Sequence, residues 1–220
     1  MLAIPDKIVL HDDYSAPKPL AKGLYQARQG TRWSIADGVL RGTESSAEFQ
    51  AKKKDHFGYE PRLSIPACPQ EFIIQFDVKF TGGQPTAIVP FVEFGHHALR
   101  VAWAGGGAKV IADHESAQLA AAPDFKIESG KWYRALAEIK GDEFVIQFAK
   151  GPTLTAKHAA IAGEKDGFGV AGQKGGTVEL DNVTVWSVKP ELNPQWEKTR
   201  AALPKSAPVI LQKGAGKKKK

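Results

Sequence analysis

The chain has 220 residues, of which 42% are hydrophobic, with 22 Gly, 14 Pro and one Cys. These values predict one soluble domain and exclude a fibrous or fully disordered chain, and no apolar stretch approaches the roughly 18 residues of a membrane helix. The net charge is +6, but Lys213 and residues 217–220 supply five of these charges, which leaves +1 for the rest of the chain. A nearly neutral body argues against a nucleic-acid-binding groove. The single thiol, Cys68, can form neither an internal disulfide nor a zinc cluster with a second cysteine.

The first residues lack the basic and apolar segments of a secretory signal. Two locations therefore stay open at this point. The protein is either cytoplasmic, or it is exported and a leader has been replaced by Met1 in this chain.

Alternation of apolar and polar residues predicts a chain made mainly of strands. Residues 32–41 form a predicted hairpin that turns at Asp37 and Gly38, and residues 72–80 alternate most clearly, with Phe72, Ile74, Phe76, Val78 and Phe80 on one face. A second hairpin joins 131–140 to 143–148 through a turn at residues 141–142, and its expected inward set is Ala135, Ala137, Ile139, Phe144, Ile146 and Phe148. Further strands are predicted at 87–94, 99–103, 109–113, 167–171 and 177–186.

About ten to twelve short strands with almost no helical period predict an all-β fold, with two antiparallel sheets packed face to face as a jelly-roll sandwich. We expect this sandwich to span residues 1–190. Residues 191–204 are the one helical stretch, with Asn193 as its cap and Trp196 packed on the sandwich edge. Residues 205–220 are rich in Pro, Gly and Lys and predict a flexible tail.

Several segments resemble the concanavalin A-like jelly roll, in particular the bacterial 3-keto-disaccharide hydrolase domain family and its laminin G-like relatives. They are HDDYS at 11–15, WSIADGVLRG at 33–42, FDVKF at 76–80, KWYR at 131–134, IKGD at 139–142, GFGV at 167–170 and LDNVTVW at 180–186. The resemblance implies a protein that handles sugars outside the cytoplasm, which favours the export alternative. It describes the fold better than the chemistry, because one fold hosts many functions.

The sequence departs from the laminarinase-type hydrolases of the same architecture. Their strand carries Glu-x-Asp-x-x-Glu, which places two carboxylates on one face for retaining hydrolysis. The nearest run here, residues 179–184, ends in Thr184 where the acid should stand. This pair is therefore not expected to catalyse hydrolysis.

Sugar recognition needs flat apolar faces and planar polar groups. The segment 91–103 offers both and is the leading candidate site, with Glu93, His96, His97, Arg100 and Trp103. The opposing interpretation is that residues 95–97 form an ordinary turn and that Trp103 lies in the core.

A second cluster lies in the irregular segment 55–62, where His56, Tyr59 and Arg62 fall close together on a predicted groove-lining loop. A third candidate is His114, between Asp113 and Glu115 at the end of a short strand. The alternative for the 55–62 cluster is a solvated loop with Tyr59 held at the edge of the sandwich, and the alternative for residues 113–115 is an exposed turn.

The resemblance also implies a chemistry. A ketone at C3 of a glycoside acidifies the C2 hydrogen, so a base can remove it and expel the C1 substituent, after which water adds. Under this hypothesis His97 or His56 is the base, Glu93 is its partner or a metal ligand, and Arg100 or a divalent cation stabilises the enolate. The predicted substrate-binding residues are Tyr59, Arg62, His96, Trp103 and His114.

Related jelly rolls often hold calcium, and Asp12, Asp13 and Asp181 offer hard oxygen ligands for Ca²⁺ or another divalent cation. A structural turn at Asp181 is the alternative.

Two classes of function remain: a hydrolase of 3-keto-glycosides and a lectin-like module that binds an oligosaccharide or polysaccharide without cleaving it. An interaction domain that uses its edges and Lys-rich tail is a third class, and the oligomeric state stays open.

Overall fold

The computed structural model describes residues 1–84, 86, 88–104 and 107–211. Its strands, in chain order, are β1 (Ala3–Asp12), β2 (Gln26–Ala27), β3 (Arg32–Ala36), β4 (Val39–Thr43), β5 (Arg62–Ile65), β6 (Phe72–Thr81), β7 (Phe91–Phe94), β8 (Leu99–Ala104), β9 (Gly107–Ala112), β10 (Ala117–Ala122), β11 (Trp132–Lys140), β12 (Glu143–Phe148), β13 (Thr153–Lys157), β14 (Phe168–Ala171), β15 (Thr177–Leu192) and β16 (Val209–Ile210). Two short helices, α1 (Ala47–Lys52) and α2 (Trp196–Ala201), and a 3-10 turn (Ala159–Ala162) complete the described elements.

The strands form two antiparallel sheets, which confirms the predicted class. Sheet A has the order β13-β12-β11-β6-β15-β4-β3, and β1 pairs with β15. Sheet B has the order β16-β10-β9-β8-β7-β14-β5-β2. Strands that are neighbours in space can be far apart in the chain. For example, β14 lies between β5 and β7 in sheet B, although it follows β7 by more than 70 residues.

The core between the sheets follows from the alternation of side chains along each strand. On β6, the predicted inward set from Phe72 to Phe80 is buried. The predicted inward set of the β11–β12 hairpin, which runs from Ala135 to Phe148, is buried as well. The turn of the β3–β4 hairpin lies at Asp37 and Gly38, where φ is +55° and +74°.

The sequence patterns missed several elements. Helix α1 has no buried residue and therefore no apolar stripe that would reveal it, and its start is stabilised by Ser46, whose side chain accepts a hydrogen bond from Phe49 N–H. Strand β10 is mostly alanine and lacks the alternation that marked the other strands. The strand expected at 87–94 begins at Phe91, and Ala87 lies outside the described residues.

The C-terminal segment packs along the edge of the sandwich. Helix α2 begins at Trp196 rather than at the predicted Asn193, whose side chain instead accepts a hydrogen bond from Gln195 N–H just before the helix. The Trp196 side chain is buried against Leu2 and Val145, as expected. Val209 and Ile210 lie within the segment predicted to be flexible, yet they pair with β10; residues 212–220 lie outside the described residues.

Within the described ranges, neither helix has the length and apolar character needed to cross a membrane.

Candidate functional site

A cavity of 570 Å³ opens on the outer face of sheet B. Alternation along β7 places Val92 and Phe94 in the core and directs Phe91 and Glu93 to the opposite face. The walls are completed by the segment before β3, by the loop between α1 and β5, and by the turn between β7 and β8. The polar and aromatic side chains of these walls are Arg28, Gln29, His56, Phe57, Tyr59, Glu60, Arg62, Ser64, Phe91, Glu93, His96, His97 and Arg100.

The floor of the cavity depends on strand register. One row of cross-strand neighbours runs over four adjacent strands. It consists of Ser64 on β5, Gly169 on β14, Glu93 on β7 and Arg100 on β8. A Cβ atom at position 169 would lie 2.8 Å from Cγ of Glu93, a distance that real Cβ contacts essentially never show. Glycine at this position therefore lets the Glu93 side chain lie across β14.

Arg100 is the centre of an ion-pair network. Its Nε donates to Oε2 of Glu93 at 3.0 Å, and its Nη1 lies 3.2 Å from Oδ2 of Asp113. Its Nη2 lies 2.7 Å from Nδ1 of His97. Because the Glu93 and Arg100 side chains are only 10% and 16% exposed, this pair is screened much less than a surface pair. All three nitrogens of the Arg100 guanidinium are engaged within the protein.

His97 has two alternative hydrogen-bonding states. Its Nδ1 lies 2.7 Å from Oδ2 of Asp113 as well as 2.7 Å from Nη2 of Arg100, and one ring nitrogen cannot donate to the first and accept from the second at the same time. When Nδ1 is protonated it donates to Asp113, and Nε2 has a free lone pair. When the proton is on Nε2, Nδ1 accepts from Arg100. The first state is the one that can act as a base.

Arg62 differs from Arg100 because it lacks such partners. Its Nε is buried and has no hydrogen-bond partner among the described residues. Burial lowers the pKa of Arg62, and the neighbouring Arg100 and Arg28 lower it further, while Glu60 and Glu93 act in the opposite direction. The Cζ atoms of Arg62 and Arg100 lie 5.6 and 4.4 Å from the centre of the Phe91 ring. Of these two guanidinium groups, Arg100 is therefore committed to protein carboxylates and Arg62 is not.

The loop between α1 and β5 forms the rim. The rings of Phe57 and Tyr59 are stacked with centres 5.1 Å apart, and the Lys174 Nζ lies 4.4 Å from the Tyr59 ring centre. The exposed His56 ring contacts the side chain of Gln29, with 3.1 Å between His56 Nδ1 and Gln29 Nε2. This rim offers flat apolar surface beside groups that can hydrogen bond.

The structure brings together the two leading predicted clusters. These seven predicted residues line the same cavity: His56, Tyr59, Arg62, Glu93, His96, His97 and Arg100. Strands β5 and β7 both pair with β14, which is why segments 30 residues apart in the chain meet on one face.

Trp103, predicted to bind substrate, does not line this cavity. Trp103 lies on the same face of β8 as Leu99 and Val101, so it is buried in the core, 4% exposed, against Phe80 and Phe148. The alternative interpretation of this residue was the correct one.

His114 also lies outside the cavity wall. It is exposed, and its ring centre is 6.1 Å from that of His97. The neighbouring Asp113, which the sequence offered only as part of the 113–115 candidate and without a role of its own, is the residue that reaches His97. Its position follows from the β8–β9 register, in which Leu99 pairs with Ala112 and Asp113 N–H donates to Ala98 O.

The predicted metal ligands do not form a cation site. Oδ1 of Asp12 accepts hydrogen bonds from Tyr14 N–H and Lys18 Nζ, and Oδ2 accepts one from Tyr25 OH, so the Lys18 ammonium already neutralises this carboxylate. Asp13 and Asp181 each bind a nearby backbone N–H, from Ser15 and Asn182. Across the described part of the chain, no group of three His, Cys, Asp or Glu side chains is arranged to hold a metal ion.

The run at 179–184 lies on sheet A, away from the cavity. Glu179 is buried there and makes ion pairs with Arg41 and Lys79. Its role is thus to neutralise two cations of the sheet.

No protein-family model matches the chain, and a search of curated proteins gives no match. Solved structures match in fold. The cellulose induced protein Cip1 has a TM-score of 0.60 and 11% identity, over 81% of this chain and 97% of that chain. SCLam, a non-specific endo-β-1,3(4)-glucanase from family GH16, has a TM-score of 0.55 and 10% identity over 85% and 94%. The exoplasmic/lumenal domain of VIP36, in a Ca²⁺/Man3GlcNAc-bound form, has a TM-score of 0.52 and 9% identity over 91% and 99%.

Identities this low show the fold alone. The chain is a two-sheet antiparallel jelly-roll sandwich with a polar, partly aromatic cavity on the outer face of one sheet. The resemblance found in the sequence is confirmed at the level of the concanavalin A-like jelly roll, and the narrower 3-keto-disaccharide hydrolase family stays a prediction.

Proposed function

We propose that this protein is carbohydrate-active, binds a saccharide in the cavity on sheet B, and cleaves glycosides oxidised at C3. The observation that carries the proposal is the 2.7 Å contact between His97 and Asp113, together with Arg62 in the same cavity wall as His97 and with no hydrogen-bond partner for its Nε among the described residues. Support also comes from what the matched structures are named for: Cip1 is cellulose induced, SCLam is a glucanase and VIP36 was solved with Man3GlcNAc.

In the proposed reaction His97 is the general base. Asp113 accepts a hydrogen bond from Nδ1, which leaves the Nε2 lone pair to remove the proton from C2 of the sugar. The electron pair of that C–H bond forms the enolate of the C3 ketone. It then forms the C1–C2 double bond as the C1–O bond breaks, and the leaving oxygen takes up a proton. Water adds to C1 and a proton returns to C2, so the net reaction consumes one water and releases an alcohol and a 3-keto sugar.

Arg62 is better suited than Arg100 to face the enolate oxygen. Arg100 already binds Glu93, Asp113 and His97, and moving it to substrate would break these contacts. Arg62 makes no ion pair with any described carboxylate, and a positive charge in a partly desolvated site stabilises developing negative charge more than one in water does. This shifts the role that the sequence suggested for Arg100 to Arg62, and gives Arg100 the task of holding Glu93, Asp113 and His97 in place.

The test uses 4-nitrophenyl 3-keto-glucopyranosides of both anomeric configurations. We expect release of 4-nitrophenol by the wild type, a loss of at least about a hundredfold for His97→Ala, and near-normal rates for His11→Ala, which removes an exposed histidine of sheet A. The corresponding 4-nitrophenyl glucosides without the ketone should stay intact, because their C2 hydrogen is not acidic. Equal rates for His97→Ala and wild type would remove His97 as the base.

A second candidate is a binding module that holds a saccharide without cleaving it. It is favoured by the engagement of all three Arg100 guanidinium nitrogens in a fixed network, an arrangement that suits a rigid recognition surface as well as it suits catalysis. Isothermal titration of the trisaccharides cellotriose, β-1,4-mannotriose and β-1,4-galactotriose separates the two. Binding in this titration without turnover of either ketone substrate would favour the module.

The proposal carries with it the predicted location outside the cytoplasm, where polysaccharides and their fragments are met. Fractionation of cells that produce the natural protein tests this. Finding the protein in the cytoplasmic fraction would contradict the predicted location, whereas the proposed reaction is tested by the turnover assay.

A further inference from the structure

Two guanidinium groups in the cavity have no anionic partner in the described part of the chain. Arg28 and Arg62 both line its wall, and neither side chain lies within 4.0 Å of a carboxylate of the described residues. The two residues are held close together, because Arg28 N–H donates to the carbonyl oxygen of Arg62 at 3.0 Å. Arg28 contributes to the lowered pKa of Arg62, which places the two positive charges within electrostatic range.

The carboxylates near the cavity make no ion pair with Arg28 or Arg62. Glu93 is bound to Arg100, and Asp113, which is not part of the lining, is shared by Arg100 and His97. Glu60 is the one further carboxylate of the cavity wall among the described residues, and the three arginines and two glutamates of the wall leave a formal charge of +1. The neutral form of the three wall histidines, His56, His96 and His97, adds nothing to the balance, and their protonated form makes it more positive.

Such an arrangement is unfavourable without an anion that meets the two cations. Arg62 is partly desolvated and has no carboxylate of the described residues within 4.0 Å, and a partly buried cation is unfavourable unless an anion offsets it. A ligand with a neutral ketone and hydroxyl groups supplies acceptors but no charge. A ligand carboxylate supplies both, and its two oxygens match the planar fork of a guanidinium.

We propose that the saccharide bound in this cavity carries a carboxylate, which lies between the guanidinium groups of Arg28 and Arg62. The substrate class is therefore an acidic oligosaccharide that contains a hexuronic acid. This inference rests on the proposed saccharide-binding function and deepens it. Because the Nε of Arg62 is buried, the four N–H groups on its two Nη nitrogens are the donors for the carboxylate and for a ketone oxygen of the same ligand.

The experiment compares matched pairs of trisaccharides by isothermal titration calorimetry. Each pair consists of cellotriose, β-1,4-mannotriose or β-1,4-galactotriose and its counterpart with the C6 carbons oxidised to carboxylates. For at least one pair we expect the oxidised member to bind the wild-type protein about tenfold or more tightly than the neutral member at low salt. This difference in affinity should become smaller at higher salt, which screens the attraction between the carboxylate and the two arginines. Arg28→Ala and Arg62→Ala should each reduce the advantage, and the double variant should abolish it.

Controls keep the outcomes separate. Arg32→Ala removes an exposed arginine of sheet A and should leave the preference unchanged, and thermal melts show whether each variant is folded. Equal affinity for neutral and oxidised members would overturn the acidic-ligand inference and leave saccharide binding standing. Binding of no member in any configuration would overturn both. A preference that survives in the folded double variant would show that other residues hold the acid group.

Discussion

The exchange Gly169→Ala tests the geometry of the cavity floor without removing any functional side chain. The new methyl carbon would lie 2.8 Å from Cγ of Glu93, and ordinary contacts begin at 3.4 Å, so Glu93 must move by about 0.6 Å. The hydrogen bond from Arg100 Nε to Glu93 is 3.0 Å long, and a shift of that size is enough to break it. Loss of a charged hydrogen bond in this partly buried place costs about 1.5 to 3 kcal/mol.

Replacing glycine by alanine also restricts the unfolded chain, which stabilises by about 0.4 to 1 kcal/mol. The expected net effect is a loss of about 1 to 2 kcal/mol in the free energy of unfolding, measured by urea denaturation. Gly163→Ala is the matched control, because its Cβ would lie 3.4 Å from the nearest atom, an ordinary contact. A Gly169→Ala variant as stable as Gly163→Ala, with the contact between Glu93 and Arg100 intact in its crystal structure, would refute this account of the floor.

Three further predictions concern the rest of the sandwich. Burial raises the pKa of Glu138 above its ordinary value of 4.5, so the folded state binds the proton more tightly than the unfolded chain and the associated stability is lost as pH rises through the raised pKa. The stability of Glu138→Gln relative to wild type should therefore grow from pH 4 to pH 8 in urea titrations, and a constant difference would contradict this. Trp196→Ala should cost about 3 to 5 kcal/mol in unfolding free energy, because it empties a buried site and removes the 2.8 Å hydrogen bond from Trp196 Nε1 to Glu143; a loss below about 1 kcal/mol would mean that α2 does not help to hold the sandwich. Chelation with EDTA should leave the melting temperature unchanged, since the Asp12 carboxylate is already satisfied by Lys18 and Tyr25, and a lower melting temperature would reveal a bound cation.

Much of the fold could be predicted from the sequence because strands have a period of two and their inward faces are apolar. This is how β6 and the β11–β12 hairpin were located with their buried sets. The same rule applied to β8 would have placed Trp103 with Val101 in the core, and grouping Trp103 with Arg100 overlooked the alternation. Helix α1 and strand β10 carry no such period, so their sequences alone did not reveal them.

The candidate site was predictable residue by residue but not as an arrangement. The segments around His56 and Glu93 were each recognised by residue type, yet their meeting depends on β14 inserting between β5 and β7. The contact between His97 and Asp113 depends on the β8–β9 register. The distinction between Arg62 and Arg100 depends on which carboxylates reach them, which is set by tertiary packing.

Binding of saccharide to the outer face of sheet B should perturb the backbone amides around the cavity. Titration of ¹⁵N-labelled protein with the neutral and oxidised trisaccharides, followed by ¹H–¹⁵N NMR, locates the binding face. We expect shift changes concentrated at Ser64, at residues 91–100 and at Asp113, which contacts His97, with Arg134 on the outer face of sheet A unaffected. Changes confined to sheet A, or none with any trisaccharide, would contradict it.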